Sequence, residues 1–345
     1  MSKLVRSKAP LRLGFGGGGT DIKSYSDIFT GSVLNATIDR YSYSIIKPLN
    51  YNYVRLNASD LNILVEKETQ GPFELDGILN IHKAVYNHII KNFNNNQILP
   101  VELITFCTIP PGSGLGSSSA MVVSLIKSFV EYLNLPLDDY AIARLAIKIE
   151  RVDCNLSGGL QDQYASAIGG FNFMQFYKNE NTVVNKLRIK NWIICELEAS
   201  LVLYFTGISR SSSKIIDDQT KNIISGSDES LNAMHNMKEQ SIIMKDYLLK
   251  GDLKMFAETM KSSWEAKKYT SKNVTNSKVD EIYNAAIDAG ATSGKLSGAG
   301  GGGFMLFYVN PEKRASLIKC LDQFEGKNYD FHFTNEGCQS WFCGL

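Results

Sequence analysis

The stretch from Pro110 to Ala120, PPGSGLGSSSA, followed at once by the apolar run Met121 to Phe129, constrains this chain more than any other. Glycine and small hydroxyl residues leading into an apolar run describe a loop that opens a helix. The first amides of that helix lack intrahelical partners and carry the positive end of the dipole. Such an end binds anions, and glycine removes the Cβ that would hold a phosphate away from the backbone. A Gly-Ser loop of this kind also occurs as a plain cap, so on its own it leaves a structural reading open. Two further clusters, Gly14 to Asp21 (GFGGGGTD) and Gly294 to Phe304 (GKLSGAGGGGF), shift the balance toward a nucleotide phosphate site.

Known phosphate motifs can be tested against these clusters. The stretch Gly290 to Lys295 (GATSGK) has three residues where the P-loop needs four, and Leu296 follows where Ser or Thr should stand. Gly14, Gly16 and Gly19 do fit the dinucleotide spacing, and Asp39 lies far enough on to hold a ribose, which makes a nicotinamide oxidoreductase a competitor. Against it, Thr20-Asp21 would set a carboxylate beside the pyrophosphate, and no alternating strand and helix pattern continues from there.

With 345 residues, 44% of them hydrophobic, the chain can form two domains with substantial cores. A net charge of +1 gives no reason to expect nucleic acid or an anionic membrane as partner, so phosphate binding should be local, and a homodimer is compatible with the composition. The six cysteines form no CxxC pair, and neither a signal peptide nor a membrane span is evident, which points to the cytoplasm.

The pattern is α+β. Strands are expected at Leu4 to Leu13, Ser32 to Pro48, Tyr53 to Leu56, Val101 to Thr108, Gly170 to Tyr177, Trp192 to Glu196, Leu201 to Phe205, Phe304 to Val309 and Tyr329 to Thr334. Helices are expected at about Gly77 to Phe93, Ser118 to Leu133, Leu137 to Arg151, Ser211 to about Met260, Val279 to Ala289 and Pro311 to Phe324. A domain boundary is expected between about 180 and 200, giving domains 1–190 and 191–345.

Phosphoryl transfer needs amides around phosphates, a metal ion with oxygen ligands, a cation on the moving group and a carboxylate near the attacking hydroxyl. Ser117, Ser118 and Ser119 sit at a helix start, Glu150 ends the next helix, and Asp162 follows within GGLQDQ (Gly158 to Gln163). One Ser and one Glu would suit Mg²⁺.

In these residues the chain resembles the GHMP kinases, the superfamily of galactokinase, homoserine kinase, mevalonate kinase and phosphomevalonate kinase. Lys8 to Arg12 (KAPLR) begins a stretch similar to its first motif, Pro110 to Ala120 looks like the second, and Lys295 to Gly303 (KLSGAGGGG) like the third. The resemblance implies a two-domain fold, with an N-terminal domain like ribosomal protein S5 domain 2 and a ferredoxin-like C-terminal domain, binding ATP and Mg²⁺ between them. Carried over by position, Pro111, Gly112, Ser113, Gly114, Leu115, Gly116, Ser117, Ser118 and Ser119 would hold the nucleotide. Ser118 and Glu150 would hold Mg²⁺, Asp162 would be the catalytic base and Arg12 its cation. A buried Arg–Asp pair is also compatible with a structural role. Leu11 departs from the family, where Gly is common, and puts the backbone path there in question.

The GFGGGGTD turn lacks the Glu-His pair of galactokinases and resembles the sugar-1-kinase branch of the family. The substrate side would comprise Gly17, Gly18, Thr20, Asp21, Arg210 and Gly300. The implied activity is ATP-dependent phosphorylation of the anomeric hydroxyl of a heptose 7-phosphate, giving the 1,7-bisphosphate for nucleotide-activated heptose synthesis. A fucokinase-like enzyme, another small-alcohol kinase and a non-catalytic sugar and ATP sensor are the alternatives. Asp21 would accept sugar hydroxyls or, more plainly, cap the following helix. Arg210, in the loop after the Leu201 to Phe205 strand, would read the substrate's own phosphate or sit in a solvated cap. His82, His88, His235 and His332 fit core or surface roles, and Lys267-Lys268 fits a solvated helix face better than a phosphate contact.

Overall fold

The computed structural model describes residues 4–68, 71–208 and 212–344. In chain order the first half comprises β1 (Leu4–Gly16), α1 (Lys23–Phe29), β2 (Gly31–Pro48), β3 (Tyr53–Ala58), β4 (Ile63–Glu68), α2 (Asn80–Phe93), β5 (Val101–Cys107), α3 (Ser117–Leu133), α4 (Asp139–Ile147), α5 (Gln161–Ile168), β6 (Phe171–Phe176) and β7 (Thr182–Lys186). The second half comprises α6 (Asn191–Ser200), β8 (Leu201–Phe205), α7 (Ser212–Ile224), α8 (Asp228–Lys250), α9 (Leu253–Lys268), α10 (Ser277–Asp288), β9 (Ala291–Leu296), β10 (Phe304–Val309), α11 (Arg314–Leu321), β11 (Lys327–Tyr329) and β12 (Gln339–Cys343).

Among the described residues the strands form two sheets. The larger has eight strands in the order β12-β1-β2-β5-β3-β4, with β6 and β7 extending from β2, and the smaller runs β11-β8-β10-β9. All pairings are antiparallel except β3 with β5. Helices α3 and α5 pack on β1 and β2, and α8 packs on the same two strands. Cover from helices explains why β1 is buried along most of its length, Arg12 included. In β8 and β10 the side chains divide by strand alternation. Leu201, Leu203, Phe304 and Leu306 join the main core, whereas Val202, Tyr204, Met305 and Phe307 pack into a second core under α10 and α11. The first face ties the two sheets into one hydrophobic body.

The structure corrects several expectations. Trp192 to Glu196 is not a strand but part of α6, because Ile193, Leu197 and Ser200 are buried at spacings of one helical face. The long helical stretch after Ser211 is three helices, divided by Gly226 and Gly251, both at positive φ, with Ser227 and Asp252 capping the next helix in each case. The helix expected to end at Arg151 ends at Ile147 and continues as a wider π turn over Lys148–Asp153. Of the strand expected at Tyr329 to Thr334, only Lys327–Tyr329 forms β11, and Phe333 makes a single bridge to Ile38. Strands β4, β7, β9 and β12 go beyond the sequence pattern; β12 returns the chain's end to β1. The dinucleotide reading fails because β1 and β2, on either side of the Gly14 to Asp21 turn, are antiparallel, and Asp39 accepts from His332 N at 2.9 Å. Leu11, where the family often has Gly, lies fully buried beside a register shift in β1.

Candidate active site

The three glycine clusters, drawn from both ends and the middle of the sequence, meet in one cleft of about 370 Å³. Close backbone packing holds the second and third together. Phe304 N donates to Ser113 O at 2.9 Å, and a Cβ on Gly303 would stand 2.3 Å from that same oxygen. A Cβ on Gly114 would stand 2.6 Å from Ser297 O, so glycine at both positions is required by the approach of one loop to the other. Gly116 takes the left-handed conformation as the N-cap residue of α3, leaving the first amides of that helix at the cleft wall.

Arg12 on β1 and Asp162 in the first turn of α5 form the centre. Arg12 Nε and Nη2 both donate to Asp162 Oδ1, at 2.7 and 2.6 Å, and Nη1 donates to Gly114 O at 2.9 Å and to Ser297 Oγ at 3.3 Å. The Arg12 side chain is 5% exposed and that of Asp162 is 21% exposed, so the pair is only partly closed off from the cleft. Arg12 bonds to Oδ1, whereas Oδ2 faces Gly116 closely enough that a Cβ there would stand 3.2 Å away.

Glu150 lies in the π turn, 1% exposed, and receives Ser118 Oγ on Oε1 at 2.8 Å and Ser119 Oγ on Oε2 at 2.7 Å. Gln163 Nε2 also donates to Oε2. A π turn in a helix is a frequent device for re-aiming a functional side chain. One carboxylate and two hydroxyls form a hard oxygen donor set that suits Mg²⁺, which retains water and phosphate oxygens in its shell. Among the described residues no group of three or more His, Cys, Asp and Glu that could hold a metal ion forms.

Asp21 is almost fully buried but does not cap α1. Its Oδ2 accepts from Leu160 N at 2.9 Å and Gln161 N at 3.1 Å, and its Oδ1 accepts from Gly19 N at 3.0 Å. It therefore caps α5, the helix that carries Asp162. Thr20 is buried, its hydroxyl donating to Gly17 O at 2.8 Å and accepting from Ser32 N at 3.0 Å, so it shapes the turn and does not line the cleft. Gly17 packs on Ser32 O, whereas Gly18 opens into the cleft. Pro111, Ser113 and Leu115 belong to the loop that opens α3 without lining the cleft, while Gly112, Gly114, Gly116, Ser117, Ser118, Ser119 and Gly300 line it. Arg210 lies outside the described residues.

Two lysines to which the sequence reading assigned no site role line the cleft. Lys267, read as part of a solvated face, is 3% exposed and donates to Gly298 O, while Lys268 pairs with Glu265 at 2.9 Å. Burial, reinforced by the positive charge of Arg12, lowers the Lys267 pKa to about 8 against the opposing pull of Asp21 and Asp162. Lys295 on β9 donates to Phe15 O at 2.8 Å, and burial, followed by repulsion from Lys267 and Arg12, holds its pKa well below the usual lysine range. The helical phase of α9 carried the missed signal: Met260, Ser263, Trp264 and Lys267 fall on one buried face. His82 does fit the core role, fully enclosed against Thr105 Oγ1 at 2.7 Å.

Known proteins share both halves of this architecture. The GHMP kinases N terminal domain model matches residues 80–170, and the GHMP kinases C terminal model matches residues 244–326. The chain is 48% identical over 339 residues to D-glycero-alpha-D-manno-heptose 7-phosphate kinase of Campylobacter jejuni, covering 98% of this chain and 99% of the relative. It superposes on a D-glycero-D-manno-heptose 1-phosphate kinase of Bacteroides thetaiotaomicron with a TM-score of 0.84 at 40% identity, covering 99% and 100% of the two chains. Lactococcus lactis galactokinase, at 18% identity and a TM-score of 0.74 over 97% and 95% of the chains, shares the fold. Both domain models match in order and a relative matches over nearly the full length, so the chain belongs to the GHMP kinase family.

Proposed function

We propose that this ATP-dependent sugar kinase phosphorylates the anomeric hydroxyl of D-glycero-D-manno-heptose 7-phosphate, yielding the 1,7-bisphosphate for nucleotide-activated heptose synthesis in the cytoplasm. The observation that carries the reading is the Arg12–Asp162 pair, set between the helix start that would hold nucleotide phosphates and the Gly18–Asp21 side that would hold the sugar. The near full-length identity to a heptose 7-phosphate kinase supports the choice of acceptor.

In this reading the anomeric oxygen attacks the γ-phosphorus, the bond from that phosphorus to the bridging oxygen breaks, ADP leaves, and the hydroxyl proton passes to Asp162. Because Arg12 occupies Oδ1 twice, Oδ2 is the atom that takes the proton. Arg12 orients the carboxylate and offsets negative charge on the moving group. The amides at the start of α3 bind the nucleotide phosphates, and Asp21 holds α5 in place while facing the sugar side. Mg²⁺, held by Ser118 and Glu150, would neutralise charge on the nucleotide phosphates. The loop proposed to read the sugar's own phosphate leaves β8 beside the third glycine cluster, where Gly303 N donates to Ile208 O at 2.8 Å.

The test is a coupled ATPase assay over a panel of free and phosphorylated sugars, with the product's phosphate positions assigned by phosphorus NMR. Turnover of heptose 7-phosphate to a 1,7-bisphosphate, and none of free heptose, is the expected result. Equal turnover of the free sugar, or phosphorylation at another position, would overturn the assignment.

A further inference from the structure

Lys267 occupies a position that the reaction described above does not use. It stands in the last turn of α9, buried in the cleft wall, and among the described residues its hydrogen-bond acceptor is Gly298 O in the third glycine cluster. Its Nζ lies 4.0 Å from where a Cβ on Gly18 would stand, so the ammonium bridges the acceptor-side turn and the third cluster. The groups around it come from four elements: Arg12 on β1, Asp21 in the turn after β1, Asp162 on α5 and Lys295 on β9.

Among the described residues Lys267 Nζ is paired with a carbonyl and with no carboxylate. Arg12 is engaged by Asp162 and the Gly114 carbonyl, and Asp21 is engaged by the amides of Gly19, Leu160 and Gln161. Three basic side chains thus share this wall with two carboxylates that are already engaged elsewhere. A buried ammonium is costly unless it is paired, and here the like charge of Arg12 adds to the cost. An anion brought by a ligand would offset it. Its place beside the Arg12–Asp162 pair identifies the phosphoryl group in transit, rather than a phosphate at the far end of the sugar.

We propose that Lys267 is a second catalytic cation, which contacts the phosphoryl group as it passes from nucleotide to acceptor, beside the point where the third glycine cluster packs on the loop that opens α3. This rests on the reading of the cleft as a phosphoryl-transfer site and not on the identity of the sugar. The charge at Lys267 is preformed, so it needs no reorganisation when charge develops on the transferred group.

The experiment compares wild type with Lys267→Met and Lys267→Arg in the full chain, using ADP and the non-hydrolysable analogue AMPPNP, each with Mg²⁺, and kcat with whichever sugar the wild type turns over. Lys267→Met should bind ADP as wild type does, lose roughly tenfold of any preference for AMPPNP, drop kcat roughly 10- to 100-fold, and melt no lower than wild type, because an apolar side chain replaces a buried charge. Lys267→Arg should restore part of kcat. The basic limb of the wild-type rate profile, near pH 8, should move upward in that variant because arginine stays protonated. Equal loss of ADP and AMPPNP affinity with a lowered melting temperature would assign Lys267 to supporting Gly298 and overturn the proposal, as would unchanged kcat. Lys267→Gln replaces the Met variant if the latter does not fold. The nucleotide comparison needs no sugar, so failure of the heptose assignment leaves this result readable.

Discussion

Replacing Asp162 by Asn separates the chemistry of the cleft from its architecture. Asn has nearly the same volume and keeps an oxygen to accept from Arg12, but it cannot take a proton at the position of Oδ2. Loss of a positioned proton acceptor lowers kcat by roughly 10²- to 10⁴-fold. The structural cost follows from the pair itself. Stranding one member of a buried ion pair costs about 3–5 kcal/mol, but Asp162 is one-fifth exposed and one hydrogen bond survives, so a cost of about 1–3 kcal/mol is expected. Asp162 also supports the protonated form of Lys267, so its loss should shift the basic limb of the rate profile below about pH 8. The assay combines steady-state rates across pH with calorimetric ADP binding and thermal melting. A variant that folds, binds ADP and turns over within a few-fold of wild type would remove Asp162 as the base. A parallel loss of ADP affinity and melting temperature would make the pair structural.

Ser118→Ala and Glu150→Gln should weaken activity, with partial recovery at raised Mg²⁺ concentration. Loss of equal size at every concentration, together with a lower melting temperature, would show that the 2.8 Å bond between them serves only packing. His82 titrates far below its usual range, with burial pushing its pKa down from 6.5 to about 4. A lowered histidine pKa favours the neutral form in the folded state, so its contribution is complete above about pH 6.5 and is lost as pH falls toward 4. At ~1.4 kcal/mol per pKa unit the loss is about 3 kcal/mol, and His82→Gln should flatten the urea-measured stability profile over that interval; an unchanged slope would refute it.

Much of this site was legible because glycine leaves a spacing signal and helix starts have a recognisable order. Arg12, Ser118, Glu150 and Asp162 all line the cleft where the motif order implied a site. What was not legible depends on long-range packing. Lys267 and Lys268 are neighbours in sequence, but a step of one residue turns the side chain by about 100° around the helix, which sends one into the cleft and the other toward Glu265. The segment Trp192 to Glu196 is rich in residues that favour strands, yet its burial follows a helical face. No local pattern could pair Gln339–Cys343 with β1, because that register joins the two ends of the chain.

The position of Asp21 shows why a motif residue need not have one role. Its Oδ2 holds the amides of Leu160 and Gln161, the two residues that immediately precede Asp162. A carboxylate that lines the cleft therefore also fixes the start of the helix that carries the proposed base. Gly159 is part of the same joint, since a Cβ there would stand 1.9 Å from Asp21 Oδ2. Under the proposed reading, sugar contact and base alignment are coupled through this one side chain. Selection on either function would act on the same carboxylate, and the sequence GGTD reads as a substrate motif and as a cap because it is both a cleft wall and the anchor of α5.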